Sequence, residues 1–188
     1  MNPLFLNKLA DCGNYSSEEL EQLEKVLQYK QYDKGKIILE QGIVCSEVNF
    51  ILKGSTYQYT VDENSKQHFI DLHVEGDWCF NPKSFSARKP SESYIVAFED
   101  TQLLQLPITA IHELIAISPS FLQMGKILET ANHRVIFFDK NYTPDQKYKY
   151  LLREKPELVL RFPQKIIASY LKITPETLSR VRSRIHKL

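Results

Sequence analysis

The sequence predicts an α+β fold in which an N-terminal antiparallel β-barrel or jelly roll is followed by a long helix and a small all-helical unit. Three observations support this order. Short runs rich in Ile, Val, Phe and Tyr alternate with turn signals, an apolar repeat follows them, and two short helical patterns joined by a tight turn end the chain. A length of 188 residues is enough for one larger and one smaller domain.

The first predicted element is an amphipathic helix. Ser16 and Glu19 are spaced as a capping box, and Leu20, Leu23 and Leu27 follow at helical spacing. The helix therefore begins at this box and precedes the strands.

Six runs with strand composition come next, separated by turn signals such as Gly35, Gly42 and Gly54. They are residues 36–40, 47–53, 56–62, 67–73, 94–99 and 102–106. Many short strands at this spacing favour a small antiparallel barrel or jelly roll. Two helical stretches, at about 108–117 and 119–140, follow the last strand.

The second of these helices carries an apolar repeat with alternating spacings of 3 and 4, typical of a coiled-coil seam. Its members are Phe121, Met124, Leu128, Ala131, Val135 and Phe138. The repeat predicts a homodimer in which this helix forms the interface. A helix that packs on its own core shows a similar stripe, so that alternative stays open. The predicted domains are therefore a barrel at 1–117, a dimerisation helix at 118–141 and a helical domain at 142–188.

The segment from Phe162 to Leu188 has the spacing of a helix-turn-helix. Ala168 is the small residue where the two helices would cross. Lys172 occupies the turn position where glycine is usual, and a side chain in a left-handed conformation costs about 1 kcal/mol there. Thr174 is suited to the N-cap and Pro175 to the first position of the second helix. A plain helical hairpin without a partner is the alternative.

The outward face of the second helix is polar and basic, which indicates double-stranded DNA as a partner. Arg180 can donate two hydrogen bonds to guanine, and Glu176 can accept from cytosine or orient Arg180. Thr177 and Ser179 are better suited to phosphate contacts. The predicted DNA-contacting residues are Gln164, Lys165, Thr174, Glu176, Thr177, Ser179, Arg180, Ser183 and Arg184.

The charge is divided between the two parts of the chain, although the whole carries only +1. Residues 143–188 hold 11 basic and 4 acidic residues, a net +7, whereas residues 1–142 hold 13 basic and 19 acidic residues, a net −6. A basic unit joined to an acidic one is typical of a nucleic-acid-binding tail. A solvated basic surface is the simpler alternative.

The sequence contains few features that would indicate another class of protein. No apolar run approaches the roughly 20 residues that span a bilayer, so the expected location is the cytoplasm and no membrane partner is expected. Cys12, Cys45 and Cys79 are too far apart for a cysteine motif. The histidines lack metal-ligand spacing, and catalytic motifs are missing, so the sequence predicts no enzyme, metal or cofactor. A haem sensor that uses His73 or Cys79 stays open.

Taken in order, these parts resemble the Crp/Fnr family of bacterial transcription regulators over almost the whole chain. Leu39–Gly42 and Asn49–Gly54 look like the first hairpins of the family's barrel, and Pro90–Ala97 lies where its cyclic-nucleotide phosphate cassette would be. Ile166–Leu171 followed by Thr174–Arg180 is similar to the family's DNA-reading element. The resemblance implies a cyclic-nucleotide-binding type of barrel, and DNA, a second copy, RNA polymerase and a small-molecule effector as partners.

The ligand site departs from the family's pattern. In members that bind cyclic AMP, a glycine and a glutamate hold the ribose, while an arginine and a small hydroxyl residue hold the phosphate. The equivalent positions here are Gly76, Asp77, Ser91 and Ser93, with Thr130 of the long helix expected to close the pocket. The arginine is missing, and its bidentate contact is worth several kcal/mol, so cyclic AMP is not the expected ligand.

The true effector stays open. Arg88 or Lys89 could restore an anion site, or the pocket could take another small molecule or be filled by its own side chains. The overall expectation is a homodimeric, sequence-specific transcription regulator. The alternative is a barrel-based small-molecule-binding or adaptor protein that does not read DNA.

Overall fold

The computed structural model describes residues 1–129 and 142–185. Two helices, α1 (Pro3–Ala10) and α2 (Ser17–Val26), precede the barrel. The Asn2 side chain caps α1 by accepting hydrogen bonds from two backbone N–H groups. At the start of α2, Ser16 and Glu19 form the predicted capping box. Helix α2 is thus predicted correctly from the sequence, whereas α1 is an additional helix.

Eight strands in the described residues form two four-stranded sheets. They are β1 (Gln28–Tyr32), β2 (Ile37–Leu39), β3 (Glu47–Lys53), β4 (Thr56–Val61), β5 (Gln67–His73), β6 (Trp78–Cys79), β7 (Tyr94–Ala97) and β8 (Thr101–Pro107). The sheet orders are β1-β8-β3-β6 and β2-β7-β4-β5, and the paired strands are antiparallel. This is the jelly-roll arrangement, so the predicted α+β fold with an antiparallel barrel is confirmed.

The six predicted strands correspond to β2–β5, β7 and β8, with small differences at their ends. Strand β1 is not predicted from the sequence, because its five residues are polar and mostly exposed and show no apolar alternation. Strand β6, which has only two residues, and the short helix α3 (Pro82–Ala87) that follows it are also not predicted.

The barrel core is built around aromatic rings. Phe5 of α1, Phe50 of β3 and Trp78 of β6 pack edge to face, with ring centroids 5.1–5.8 Å apart. Such contacts add to the free energy gained by burying the rings. Helix α1 therefore packs on the barrel through Phe5, which is fully buried.

The region after the barrel differs from the prediction. Helix α4 (Ile108–Ile117) has the predicted bounds, but the next segment, Pro119–Gly125, is a 3-10 helix followed by helical residues 126–129. Phe121 and Met124 are 0% and 4% exposed and pack in the barrel core, and Leu128 is half-buried against it. Their apolar spacing reflects packing within the same chain. Ala131, Val135 and Phe138, as well as Thr130, lie outside the described residues.

Over residues 142–185 the C-terminal unit has four helices: α5 (Pro144–Glu154), α6 (Pro156–Arg161), α7 (Gln164–Tyr170) and α8 (Pro175–Ile185). Thr143 and Gln146 form a capping box at the start of α5. The helices enclose a second core that also includes Leu72 and Val74 from β5 and the residue after it. The unit therefore packs directly on the second sheet. The domain boundaries at 117 and 141 stay a prediction.

Candidate functional site

Helices α7 and α8 form the predicted helix-turn-helix. Ala168 is fully buried, and its carbonyl accepts a hydrogen bond from Ile173 N at 3.0 Å. Lys172 has a φ angle of 55°, the left-handed conformation expected at the turn. Because the side chain of Ala168 is only a methyl group, the two helices can cross closely at this position.

The start of α8 is capped as the sequence predicts. Thr174 Oγ1 accepts a hydrogen bond from Thr177 N at 3.2 Å, and Pro175 occupies the first helical position. A hydrogen bond to its own backbone N–H lowers the pKa of Glu176, and the Thr174 hydroxyl and the Arg180 charge lower it further. Glu176 is therefore ionised at neutral pH beside Arg180.

The predicted DNA-contacting residues lie on one unit, and all are exposed except the half-buried Thr177. Leu178 and Val181 face the core, so the polar side of α8 faces outward. Gln164 at the start of α7 lines a shallow groove together with Ser179, Arg182 and Ser183 of α8. Arg182 is not among the predicted DNA-contacting residues. It lies three residues after Ser179, however, and the two side chains are therefore neighbours on the surface of α8.

Two of the exposed arginines have contacts within the unit. Arg180 Nη2 lies 3.4 Å from Thr177 Oγ1, and Arg184 Nη2 donates to Asp145 Oδ1 at 2.7 Å. The first contact is weak and the second is a surface ion pair. Arg180 is therefore the arginine held less firmly by its own chain.

Replacing Lys172 with glycine is expected to stabilise the protein by about 1 kcal/mol, because glycine adopts a positive φ without the steric cost of a side chain. Urea unfolding of both proteins measures the difference. As a control, Lys149→Gly at an exposed position of helix α5 is expected to cost about 1 kcal/mol. Destabilisation by Lys172→Gly would contradict the prediction.

The barrel interior at the predicted phosphate position is filled by the protein itself. Ser91 and Ser93 are 2% and 1% exposed. Asn81 Nδ2 donates to both hydroxyls at 2.9 and 3.1 Å, and Gln58 Nε2 donates to Ser93 Oγ at 2.7 Å. Buried polar groups that satisfy one another need no ligand. The two serines thus belong to an internal polar cluster that consists of Gln58, Asn81, Ser91 and Ser93.

A second buried cluster lies between β4, β5 and β6. His73 Nδ1 lies 3.1 Å from Thr56 Oγ1, and His73 Nε2 lies 3.2 Å from Asp71 Oδ2. Burial lowers the pKa of His73, but the neighbouring Asp71 carboxylate outweighs burial and raises the pKa to about 10. Both ring nitrogens are engaged, so neither is available to haem iron. No group of three or more metal-ligating side chains is found in residues 1–129 and 142–185.

The remaining predicted ligand residues face elsewhere. Arg88 Nη1 donates to the Cys45 carbonyl at 2.8 Å, and Lys89 is exposed, so neither supplies a cation to the barrel interior. Gly76 has a φ of 86° in the turn after β5 and donates its N–H to Ile51 O at 2.9 Å. The Asp77 carboxylate does not face the polar cluster, because it pairs with Lys155 Nζ at 2.6 Å.

Asp77 is part of a contact between the barrel and the C-terminal unit that the sequence analysis does not predict. Arg161 Nη2 pairs with Glu75 Oε2 at 3.1 Å, and Arg161 Nη1 pairs with Glu99. These partners are more than 60 positions apart in the chain, so no local pattern connects them. We call Glu75, Asp77 and Glu99 with Lys155 and Arg161 the charged clamp.

Apolar and backbone contacts extend the interface on either side of the charged clamp. The rings of Phe98 and Phe162 lie 4.8 Å apart, and Phe69 N of β5 donates to Ser169 Oγ of α7 at 3.2 Å. Between the tip of the β4–β5 hairpin and the helix-turn-helix is a cleft of about 950 Å³, lined by residues 65–70, Lys165, Ser169 and residues 172–175. The hairpin thus lies beside the start of α8.

Comparisons with known proteins agree with this architecture. Residues 29–118 match the family model of the cyclic nucleotide-binding domain. The chain is 22% identical to the anaerobic regulatory protein of Aggregatibacter actinomycetemcomitans over 92% of its own length and 73% of that protein. The fumarate and nitrate reduction regulatory protein of Escherichia coli K12 is 22% identical over 92% of this chain and 74% of that protein.

A solved structure shows the same fold. FixK2 from Bradyrhizobium japonicum superposes with a TM-score of 0.72 at 17% identity, covering 86% of this chain and 85% of that one. In the part of the chain that the structure describes, no helix is long and apolar enough to cross a membrane.

Proposed function

Because the chain belongs to the Crp/Fnr family of transcription regulators, we propose that it is a sequence-specific regulator that binds double-stranded DNA as a homodimer. In this proposal residues 1–117 form the sensor barrel, 118–141 the dimerisation helix and 142–188 the DNA-binding domain. The regulator acts in the cytoplasm, where it meets DNA, RNA polymerase and a small-molecule effector.

The observation that carries the proposal is the exposed polar face of α8. Its hydrophobic side is held in the second core by Leu178 and Val181, and its capped start presents Glu176 and Arg180 outward. An arginine on such a helix can donate two hydrogen bonds to guanine in the major groove. The proposed DNA contacts are Gln164, Lys165, Thr174, Glu176, Thr177, Ser179, Arg180, Ser183 and Arg184.

The homodimer is proposed on physical grounds. One short helix-turn-helix gives weak binding, whereas two related by a two-fold axis read half-sites about 34 Å apart. Ile117 and Leu122 are each 62% exposed at the end of the barrel where the long helix is predicted to begin. Together with the predicted positions 131, 135 and 138, they favour an apolar interface there. Sedimentation as a 22.0 kDa monomer at micromolar concentration would contradict this part of the proposal.

Cyclic AMP is not the proposed effector. The hydroxyls at the phosphate position are occupied by Asn81 and Gln58, and Arg88 is held outside by Cys45. A phosphate in this space would break that network without gaining an arginine partner, because none reaches it in the described chain. The effector is therefore expected to bind elsewhere or to displace the internal cluster.

Millimolar cyclic AMP is accordingly expected to leave the thermal unfolding midpoint unchanged. A ligand at one hundred times its Kd would stabilise the folded state by about 2.7 kcal/mol, so binding would be readily detected. The measurement is a thermal melt with and without cyclic AMP, and 5′-AMP serves as the control. A rise specific to cyclic AMP would show that the polar cluster opens for this ligand.

The proposed function is tested by selecting bound duplexes from a random DNA pool at about 0.1–0.15 M salt, where non-specific attraction to phosphates is partly screened. A palindromic consensus with half-sites about one helical turn apart is the expected result. Recovery of no consensus at any tested condition would favour the alternative, a barrel-based small-molecule-binding or adaptor protein.

A further inference from the structure

The charged clamp joins the acidic part of the chain to the basic part through specific groups. Asp77 holds Lys155 with both carboxylate oxygens, at 2.6 and 2.8 Å. Arg161 bridges Glu75 and Glu99, and these hydrogen bonds raise its pKa above the ordinary value, with Glu99 contributing most. Both cations belong to the DNA-binding unit, and the three carboxylates belong to the barrel.

The barrel carboxylates are themselves held in place. Glu75 Oε1 accepts a hydrogen bond from Gly54 N at 2.8 Å, and Glu99 Oε1 accepts one from Ser55 Oγ at 2.6 Å. Asp77 Oδ2 accepts from Val74 N at 3.1 Å. Side chains that are already positioned lose less conformational entropy when they form an ion pair. The barrel therefore presents a rigid acidic surface to the unit.

The clamped position places the β4–β5 hairpin beside the helix that is proposed to read DNA. Residues 65–70 face Lys172, Thr174 and Pro175 across the cleft, and the Phe69–Ser169 hydrogen bond closes one side of it. A helix in the major groove has phosphate strands on both sides, and the groove is only about 12 Å wide. The β4–β5 hairpin thus lies where one DNA strand would approach the start of α8.

The same clamp is connected to the barrel interior through a short path. Asp77 is followed directly by β6, in which Cys79 Sγ lies 3.2 Å from Thr56 Oγ1. Asn81, two residues later, donates to Ser91 and Ser93 in the internal polar cluster. A ligand that rearranges this cluster would therefore move the residues next to the clamp.

From this geometry we propose that the charged clamp is an autoinhibitory contact, in which Glu75, Asp77 and Glu99 hold the DNA-binding unit against the barrel. Release of the clamp frees the start of α8 for a DNA strand. The inference rests on the proposed function, because it concerns the same DNA-binding surface. It identifies the charged clamp as the contact that a signal in the barrel must break.

The test is a variant with Glu75→Gln, Asp77→Asn and Glu99→Gln, whose amides keep the shape and whose side-chain oxygens can still accept the hydrogen bonds from Gly54 N, Val74 N and Ser55 Oγ. Affinity for the selected DNA is expected to rise about 10-fold above that of a control, within the usual range of coupling between sites. The control variant is Glu18→Gln, Glu21→Gln and Glu40→Gln, which removes three exposed carboxylates outside the clamp and so corrects for net charge. Equal affinities for the two variants, or weaker binding by the clamp variant, would overturn the proposal.

A second variant tests the clamp in the opposite direction. Asp77→Cys and Lys155→Cys place two thiols at the clamp, outside the proposed DNA-contacting set, where a reducible bis-maleimide can join them, while the three native cysteines are buried. The cross-linked protein is expected to bind the selected DNA about 10-fold more weakly than the same protein after reduction. Equal binding would overturn the proposal.

The two proposals fail in different ways. If the clamp idea alone is wrong, the wild type selects a consensus sequence but neither variant changes affinity in the expected direction. If wild type, clamp variant and control all select no sequence, the proposed DNA-binding function is wrong, and the autoinhibitory role is overturned with it.

Discussion

Replacing Arg180 with alanine is expected to weaken binding to the selected DNA by about 1–3 kcal/mol and to relax the preference for one base pair in each half-site. The guanidinium is exposed on α8 and has only a weak contact of 3.4 Å with Thr177, so little is lost within the protein when it is removed. Fluorescence anisotropy with duplexes that carry each base at each position measures both effects.

Arg153→Ala is the matched control. Arg153 is exposed on α5, outside the proposed DNA-contacting set, and pairs with Glu154 at 2.6 Å. Removal of this charge is expected to have a small effect that is equal for all sequences. If Arg180→Ala weakens binding to every duplex equally, Arg180 contacts phosphate and the base contact must be assigned to another residue of α8.

Replacing Phe50 with alanine is expected to lower the free energy of unfolding by about 3–5 kcal/mol. Its ring is fully buried between Phe5 and Trp78, with centroids 5.2 and 5.1 Å away, and these rigid neighbours cannot collapse into the space. Urea unfolding followed by fluorescence measures the change, because Trp78 is the single tryptophan and lies in the same cluster.

Tyr29→Ala provides the comparison, since Tyr29 is 55% exposed on strand β1. Its loss is expected to cost much less than that of Phe50. A cost below about 1 kcal/mol for Phe50→Ala would mean that the aromatic cluster repacks without leaving a cavity.

Local signals in the sequence predicted much of the fold correctly. Capping boxes depend on residues three positions apart, so Ser16 with Glu19 marked the start of α2 without any tertiary information. Strand alternation between turns identified six of the eight strands in the described residues. The unusual lysine at 172 was expected to adopt a left-handed conformation, and its φ of 55° agrees.

The apolar repeat shows where local information was insufficient. Spacings of 3 and 4 were compatible with both a dimer seam and a core-packed segment. The structure places Phe121 and Met124 in the barrel core of the same chain. An apolar stripe specifies that a surface is buried, but it does not specify what covers it.

The sequence alone determined the jelly roll with its helix-turn-helix and the exposed polar face of α8, because these depend on the pattern of neighbouring residues. It also determined that the predicted phosphate position has Ser91 and Ser93 but no arginine, because this depends only on residue type. Only the tertiary structure decided that Asp77 pairs with Lys155 and that Asn81 fills the space between the two serines. The physical reason is that these partners come together through the folding of distant segments, and the free energy of such contacts depends on burial and distance that no local pattern contains.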